Sequence, residues 1–372
     1  MKRGISISLA LTTMVCLSCG KETQGPEPTF GNEELASIDG LNKVAFEIFD
    51  DAKDFVDGKS FVVSPASIAM VLGMEANTQE VNAEEINRVY GFTSTQAANE
   101  LYGKLIDKYL YKYAGISTLL ANACFNNANK GNIDSNTEAI LKKDFRAGIY
   151  SYDFSKEKEV SDRIVSFVKS NTNGMIDLKQ VEVSDFLDRI LVNTVYFKGK
   201  WTHPFKSSNT TNKPFTCSDG TNLFLPTMKQ TYEGSYSSTD NFESVWLNYG
   251  TDKKYSMQII LSKGDIELTE AARTELRRKS EFCDINIELP KFESVIEKYA
   301  PQFKNFKNFI VYHTARITIN EDGSEAAAVT VGGDITAGPP RSVDFIVNRP
   351  FYYAIADNTT GLILFIGYFN GK

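Results

Sequence analysis

Between Ile317 and Pro340 the chain reads ITINEDGSEAAAVTVGGDITAGPP, and no other stretch limits its fold so strongly. Ile317 and Ile319 alternate with Thr318 and Asn320, the period of a strand with one buried face. Glu321 and Asp322 then turn the segment acidic, Gly323 frees the backbone, and a run of very small residues follows. Side chains this small cannot anchor a core, but they can slide into one. The pattern describes a loop able to become a strand, so the fold must offer a place where that strand can go.

The 372 residues are 42% hydrophobic and 23% charged, enough for a large packed core and too apolar for disorder. Net charge is −7 and no basic stripe is present, which argues against a nucleic-acid partner. The N-terminus reads as an address. Lys2 and Arg3 precede an apolar run from Ile5 to Leu17, then Ser18, Cys19 and Gly20. Such a run is too short to span a bilayer as a helix. Its end is similar to a bacterial lipobox, with Cys16 where Leu is usual. The resemblance implies cleavage after residue 18, lipidation of Cys19, and a bacterial cell envelope location, as an outer-membrane lipoprotein (periplasmic or surface-exposed) or a secreted protein. Residues 19–34 then form a flexible tether, and one mixed α+β domain covers 35–372. The remaining cysteines, Cys124, Cys217 and Cys283, are widely spaced and odd in number, so they suit neither a disulfide framework nor a metal set. They read as buried apolar thiols.

Helical spacing runs from Ile38 to Phe55 with Asp39 as the expected cap. Phe61–Val63 is a short buried strand, and Ser64-Pro65 opens a helix over Ala66–Glu75. Further helices are predicted at 82–89, 97–111, 136–145 and 160–170, and a strand at 117–126. Strands dominate after about residue 185: 189–197, 232–236, 243–249, 255–261, 284–289, 310–320, 343–347, 351–356 and 363–369, the last two joined by a turn at Asn358–Gly361.

Four segments resemble one family, the serpins. They are FVVSPASIAMVLGM (61–74), ILVNTVYFKGKWTHPF (190–205), ARITINEDGSEAAAVT (315–330) and VNRPFYYAIADNTTGLILFIGYF (347–369), in the family's order along nearly the whole chain. The resemblance implies three sheets, about eight or nine helices and an exposed reactive-centre loop at about 322–342. A protease cleaves the loop, which then inserts as a new strand and traps the acylated enzyme. Such a protein has no active site, cofactor or metal of its own. Its partner is a serine protease, elastase-like or subtilisin-like, or a papain-like cysteine protease, and it acts as a monomer. No GxSxG, HExxH or CxxC signature points to an enzyme instead. The other reading is a non-inhibitory serpin that binds or carries a ligand.

Family spacing, sixteen residues on from Glu321, places the scissile bond between Ala337 and Gly338, with Thr336 and Ile335 as alternatives. The hinge is Glu321, Gly323, Ser324, Glu325, Ala326, Ala327, Ala328 and Thr330. With Ser324 inserted first, Ser324, Ala326, Ala328 and Thr330 share one face of the new strand and Glu325, Ala327 and Val329 the other. That parity also turns Asp334 inward, where an unpaired carboxylate is costly; it is expected to slow the last step of insertion. Ser64, Ser67, Asn193 and His313 match the polar cluster beneath the sheet where it must part, with Asn193 and His313 expected to pair. Trp201 matches the aromatic residue at the loop's point of entry. One departure stands out: only twenty-two residues separate Pro290 from His313, about half of what serpins usually carry.

Overall fold

The protein is described here by a computed structural model covering residues 25–78, 80–301, 313–324 and 341–372. Seven α-helices lie among these residues, fewer than the eight or nine expected: α1 (Asn32–Val56), α2 (Pro65–Thr78), α3 (Glu80–Tyr90), α4 (Thr95–Tyr109), α5 (Ser135–Asp144), α6 (Glu157–Asn171) and α7 (Glu270–Arg278). Their boundaries follow from side-chain caps. Ser94 Oγ accepts the Ala97 amide at 3.1 Å, and Asp134 takes two amides at the start of α5. α6 is followed by Asn173 and Gly174, both at positive φ. α1 departs from expectation. It is capped by Gly31, whose amide donates to the Glu34 carboxylate at 2.7 Å, and Asp39 lies inside the helix.

Fourteen strands are described: β1 (Phe61–Val63), β2 (Ile116–Asn127), β3 (Gly148–Tyr152), β4 (Arg189–Gly199), β5 (Thr211–Thr216), β6 (Asn222–Ser238), β7 (Phe242–Tyr249), β8 (Tyr255–Ser262), β9 (Glu281–Pro290), β10 (Phe292–Tyr299), β11 (His313–Ile319), β12 (Ser342–Ile346), β13 (Phe351–Asp357) and β14 (Ile363–Phe369). They form three hydrogen-bonded sheets. The largest runs β1-β14-β13-β8-β7-β6-β9-β12, with β5 added to β6. β13 is buried along its whole length, and β8 and β14 nearly so, which is why these strands read as continuous apolar runs. The other sheets are β3-β2-β4 and β10-β11.

One apolar core joins the large sheet to α1, α2 and α4. A second, smaller core lies on the opposite face of β2 and β4, where Val160, Ile164 and Val168 of α6 meet Phe125 and Val192. α6 therefore covers the three-stranded sheet from outside while α2 supports it from within. This arrangement positions the site.

Candidate functional site

β4 pairs with β2 along one edge, and β11 pairs with β10 along one edge. Among the described residues no strand fills the space between the other edges of β4 and β11. Among the described residues the bonds that join them lie at one end. There the Trp201 amide donates to Asp322 O and the Ser324 amide to Gly199 O, each at 2.9 Å, and Lys200 bridges to Gly323. Below this junction a cleft of 1410 Å³ runs between residues 189–196 of β4 and 313–316 of β11. α6 and the segment that follows it form one wall, and Ser67, Val71 and Glu75 of α2 reach it together with Ser64 just before that helix. Among the described residues no strand occupies this cleft.

The hinge sits at the head of this cleft. Ser324 is 4% exposed, and its Oγ lies 3.0 Å from the hydroxyl of buried Tyr249, so its side chain points to the main core. Gly323 has φ +135, and a Cβ there would stand 2.0 Å from Gly199 O, so only glycine fits. Glu321 ties down the turn before it. Its carboxylate meets Lys291 Nζ at 3.0 Å and the Thr210 hydroxyl at 2.8 Å, while its carbonyl accepts the Phe205 amide. Burial alone would raise the Glu321 pKa, but the Lys291 contact, its own amide and Thr210 together hold it below the usual carboxylate range. Trp201 stacks on Tyr249 at 4.4 Å between ring centres and donates its indole N–H to Asn320 O at 3.0 Å. The expected entry aromatic therefore touches the hinge directly. Tyr249, Thr210 and Lys291 were not singled out from sequence, because nothing local marks a residue whose role is set by a distant turn.

Deeper in the cleft lie Ser64, Ser67, Asn193 and His313. The Ser64 amide donates to His313 Nε2 at 3.0 Å, so that nitrogen is unprotonated. Ser64 Oγ donates to Leu364 O at 2.8 Å, and the Ser67 hydroxyl donates to Asn193 Oδ1. Asn193 Nδ2 donates to Asn122 Oδ1 at 2.7 Å, and Asn122 in turn donates to Phe145 O. The expected bond between Asn193 and His313 does not form. Each instead reaches the start of α2, which thereby holds both sides of the cleft. Burial pushes the His313 pKa down to about 4. At the far end Arg189 donates Nη1–H to Thr78 O at 3.0 Å, while its Nε–H is buried with no partner among the described residues. Buried Glu75 stands beside it, its pKa raised by desolvation although Asn82 and Thr78 donate to its oxygens.

Glu325, Ala326, Ala327, Ala328, Thr330, Asp334, Ile335, Thr336, Ala337, Gly338 and Cys19 lie outside the described residues, as do 302–312 of the shortened segment. Cys124, Cys217 and Cys283 are free and buried, as read from sequence. Among the described residues no cluster of His, Cys, Asp and Glu could hold a metal ion, and no helix is long and apolar enough to cross a membrane.

The fold matches known proteins. The family model "Serpin (serine protease inhibitor)" matches residues 39–305 and 298–371. The chain belongs to the serpin family, which is in general a family of protease inhibitors. It is 28% identical over 356 residues to Serpin-Z10 of Arabidopsis thaliana, covering 84% of this chain and 91% of that protein. It is 26% identical to human neuroserpin, covering 91% of each. Among solved structures, native tengpin, a thermophilic serpin, superposes with a TM-score of 0.77 over 94% of this chain and 96% of that one at 23% identity. Thyroxine-binding globulin in complex with its ligand also reaches 0.77, over 90% of this chain and 98% of that one at 21% identity.

Proposed function

We propose that this chain is an irreversible suicide-substrate inhibitor of serine endopeptidases, with elastase-like or subtilisin-like enzymes preferred and papain-like cysteine proteases as further targets. One observation carries this reading: among the described residues no strand lies between β4 and β11, and Ser324, bonded to Gly199 O, sits at the head of that gap. A cleaved loop entering there gains ladder hydrogen bonds with both edges and buries apolar surface. Ser324 faces the core, so a strand continued from it turns Ala326, Ala328 and Thr330 the same way. All three are small enough to enter a close-packed interior without overpacking it. Ala337 at the scissile bond suits a shallow specificity pocket and offers no cation to a trypsin-like enzyme.

The small hinge residues also weigh against a carrier, since a loop that never inserts has no need of them. The hinge, the cluster beneath the cleft and Trp201 then act together: Trp201 and Tyr249 hold the entry point, and the bonds through α2 resist parting of the sheet. The chain does this work without an active site or cofactor, as a monomer held at a bacterial cell envelope through lipidated Cys19. Labelled fatty acid that remained on a Cys19→Ala variant would sink the anchor.

The test is incubation of the purified chain, leader removed, with pancreatic elastase, followed by denaturing gels and mass spectrometry. A denaturation-resistant complex with release of a peptide beginning at Gly338 is the expected result. Cleavage with neither complex nor gain in thermal stability would overturn the reading in favour of a binding or carrier role.

A further inference from the structure

Beside the point where the chain returns from the loop, the outer face of the large sheet carries an aromatic side chain that folding does not use. Phe282, near the start of β9, is 70% exposed. Its neighbours on β9, Cys283, Ile285 and Ile287, are buried, so Phe282, Asp284 and Asn286 share the outward face. Register places Ser235 opposite Phe282 and Glu233 opposite Asp284 on β6, and Ser342 beside Asp284 on β12. Asn286 donates to Asp344 at 2.9 Å, which puts Asp344 on the same face. The carbonyl of Arg341 accepts the Asp284 amide, while its guanidinium pairs with Glu281, which alternation turns to the other face with Cys283.

Two features of this patch work against stability. An exposed phenylalanine gains little from burial, and like charges set directly opposite, as Glu233 and Asp284 are, repel each other across the strand pair. Three carboxylates, Glu233, Asp284 and Asp344, share this face with the ring.

We infer that this patch is a docking surface for the target protease, contacting it outside its catalytic cleft, and that the matching protease surface is cationic. The inference rests on the inhibitor reading above. Gly338 is three residues from Arg341, at most about 11 Å of extended chain. A protease seated on that bond covers about 800 Å² of its partner, a disc of roughly 16 Å radius. The return point of the loop and the ring beside it fall under that footprint. A lysine or arginine on the protease finds an aromatic face beside three carboxylates, where cation–π and charge attraction act together.

The experiment compares association rate constants of the wild-type chain, Phe282→Ala and the double variant Glu233→Lys/Asp284→Lys, with a cationic and an anionic elastase at about 20 and 200 mM NaCl. Phe282→Ala should slow the cationic enzyme about fivefold at both salt levels. The double variant should slow it about tenfold at low salt, lose most of that effect at high salt, and speed the anionic enzyme. Thermal stability and stoichiometry of inhibition should stay at wild-type values. Rates within twofold of wild type for both variants at low salt would overturn the proposal. If the wild-type chain is cleaved without trapping either enzyme, the inhibitor reading fails on its own. The patch is then judged by KM for cleavage of the intact chain, which must rise in both variants with the cationic enzyme; an unchanged KM would overturn it.

Discussion

Lowering pH from 7 to 5 should loosen the sheet through one side chain, His313. Its pKa is about 4 in the fold against 6.5 for the unperturbed group, and burial is the cause. A base with a lowered pKa is neutral in the fold and takes up its proton on unfolding. Its contribution is therefore complete above about pH 6.5 and is lost as pH falls toward 4. Integrating between those two values gives a loss of roughly 2 kcal/mol between pH 7 and pH 5. Geometry points the same way, because a protonated Nε2 can no longer accept the Ser64 amide and the tie between β11 and α2 breaks. The window matters, since carboxylates with lowered pKa values contribute only at lower pH. Glu75, raised by desolvation, acts in the opposite sense, and exposed His203 is also lowered. The measurement is thus a difference: denaturant unfolding free energies of wild type and His313→Gln at pH 7 and pH 5, both in a His203→Asn background. The glutamine can still accept from Ser64 but has no proton to gain. Wild type should lose roughly 2 kcal/mol more than the variant over this range. Equal losses would refute the assignment of the acid sensitivity to His313.

Three further outcomes follow from named contacts. Asn193→Ala leaves the Ser67 hydroxyl and Asn122 Oδ1 without their partner; it should cost about 1–3 kcal/mol and speed spontaneous conversion to a heat-resistant form, read on native gels after mild heating. Glu27→Ala removes the carboxylate that meets buried Lys108 and, at 3.0 Å, Lys254, leaving Lys108 with Asp357 at 3.8 Å; a loss of about 1–3 kcal/mol is expected at pH 7, seen by denaturant unfolding. Burial raises the Glu27 pKa, but the two lysines and Tyr113 bring it to about 2 from 4.5, so the wild-type advantage should be complete above about pH 4.5 and fade as pH approaches 2. Gly323→Ala sets a Cβ against Gly199 O and should lift Ser324 out of the sheet, lowering Tm and the fraction of protease trapped; an unchanged Tm would show that the hinge is not seated there.

Elements whose apolar period is local could be read directly, and those that depend on distant partners could not. Phe61–Val63, the Ser64-Pro65 helix start and Arg189–Phe197 carry their own signals. β10 hides because FESVIEKY mixes two acids and a lysine into a short strand whose burial is decided by β11 and β1. α7 is dominated by charge, with Leu276 and Arg273 as its buried residues, so its apolar stripe is too narrow to notice. Asp39 misled because Asp followed by Gly imitates a helix start. Gly40 is there for packing, since a Cβ would lie 2.4 Å from the Tyr90 carbonyl where α1 crosses the end of α3. In the candidate site, the polarity of Asn193 within an apolar strand was visible, but its partners Asn122 and Ser67 were not. The split between β4 and β11 was expected only through family resemblance, because a missing strand pairing leaves no local trace in a sequence.

The register at the head of the cleft makes a last prediction, and it replaces the expectation that Asp334 hinders insertion. Lys200 pairs with Gly323, and the Ser324 amide reaches Gly199 O. If the cleaved loop continues antiparallel to β4 without a bulge, each step along it meets one step back along β4. Ala326 and Ala328 then fall opposite Phe197 and Val195, small residues against large ones. Thr330 falls opposite Asn193, bringing a hydroxyl to the polar cluster, and Gly332 opposite Leu191. Asp334 falls opposite Arg189, on the same face as the guanidinium whose Nε–H is buried with no partner among the described residues. The carboxylate that would be costly in an apolar site thus arrives where a charged donor waits. A double-mutant cycle on the cleaved form, with Asp334→Ala, Arg189→Ala and both, should give a coupling of about 1–3 kcal/mol in thermal or denaturant stability. The same cycle on the uncleaved chain should give none, since the register pairs the two through the inserted strand. Additive effects in the cleaved form, within about 0.5 kcal/mol, would mean that the strand stops short of Arg189 or enters in another register.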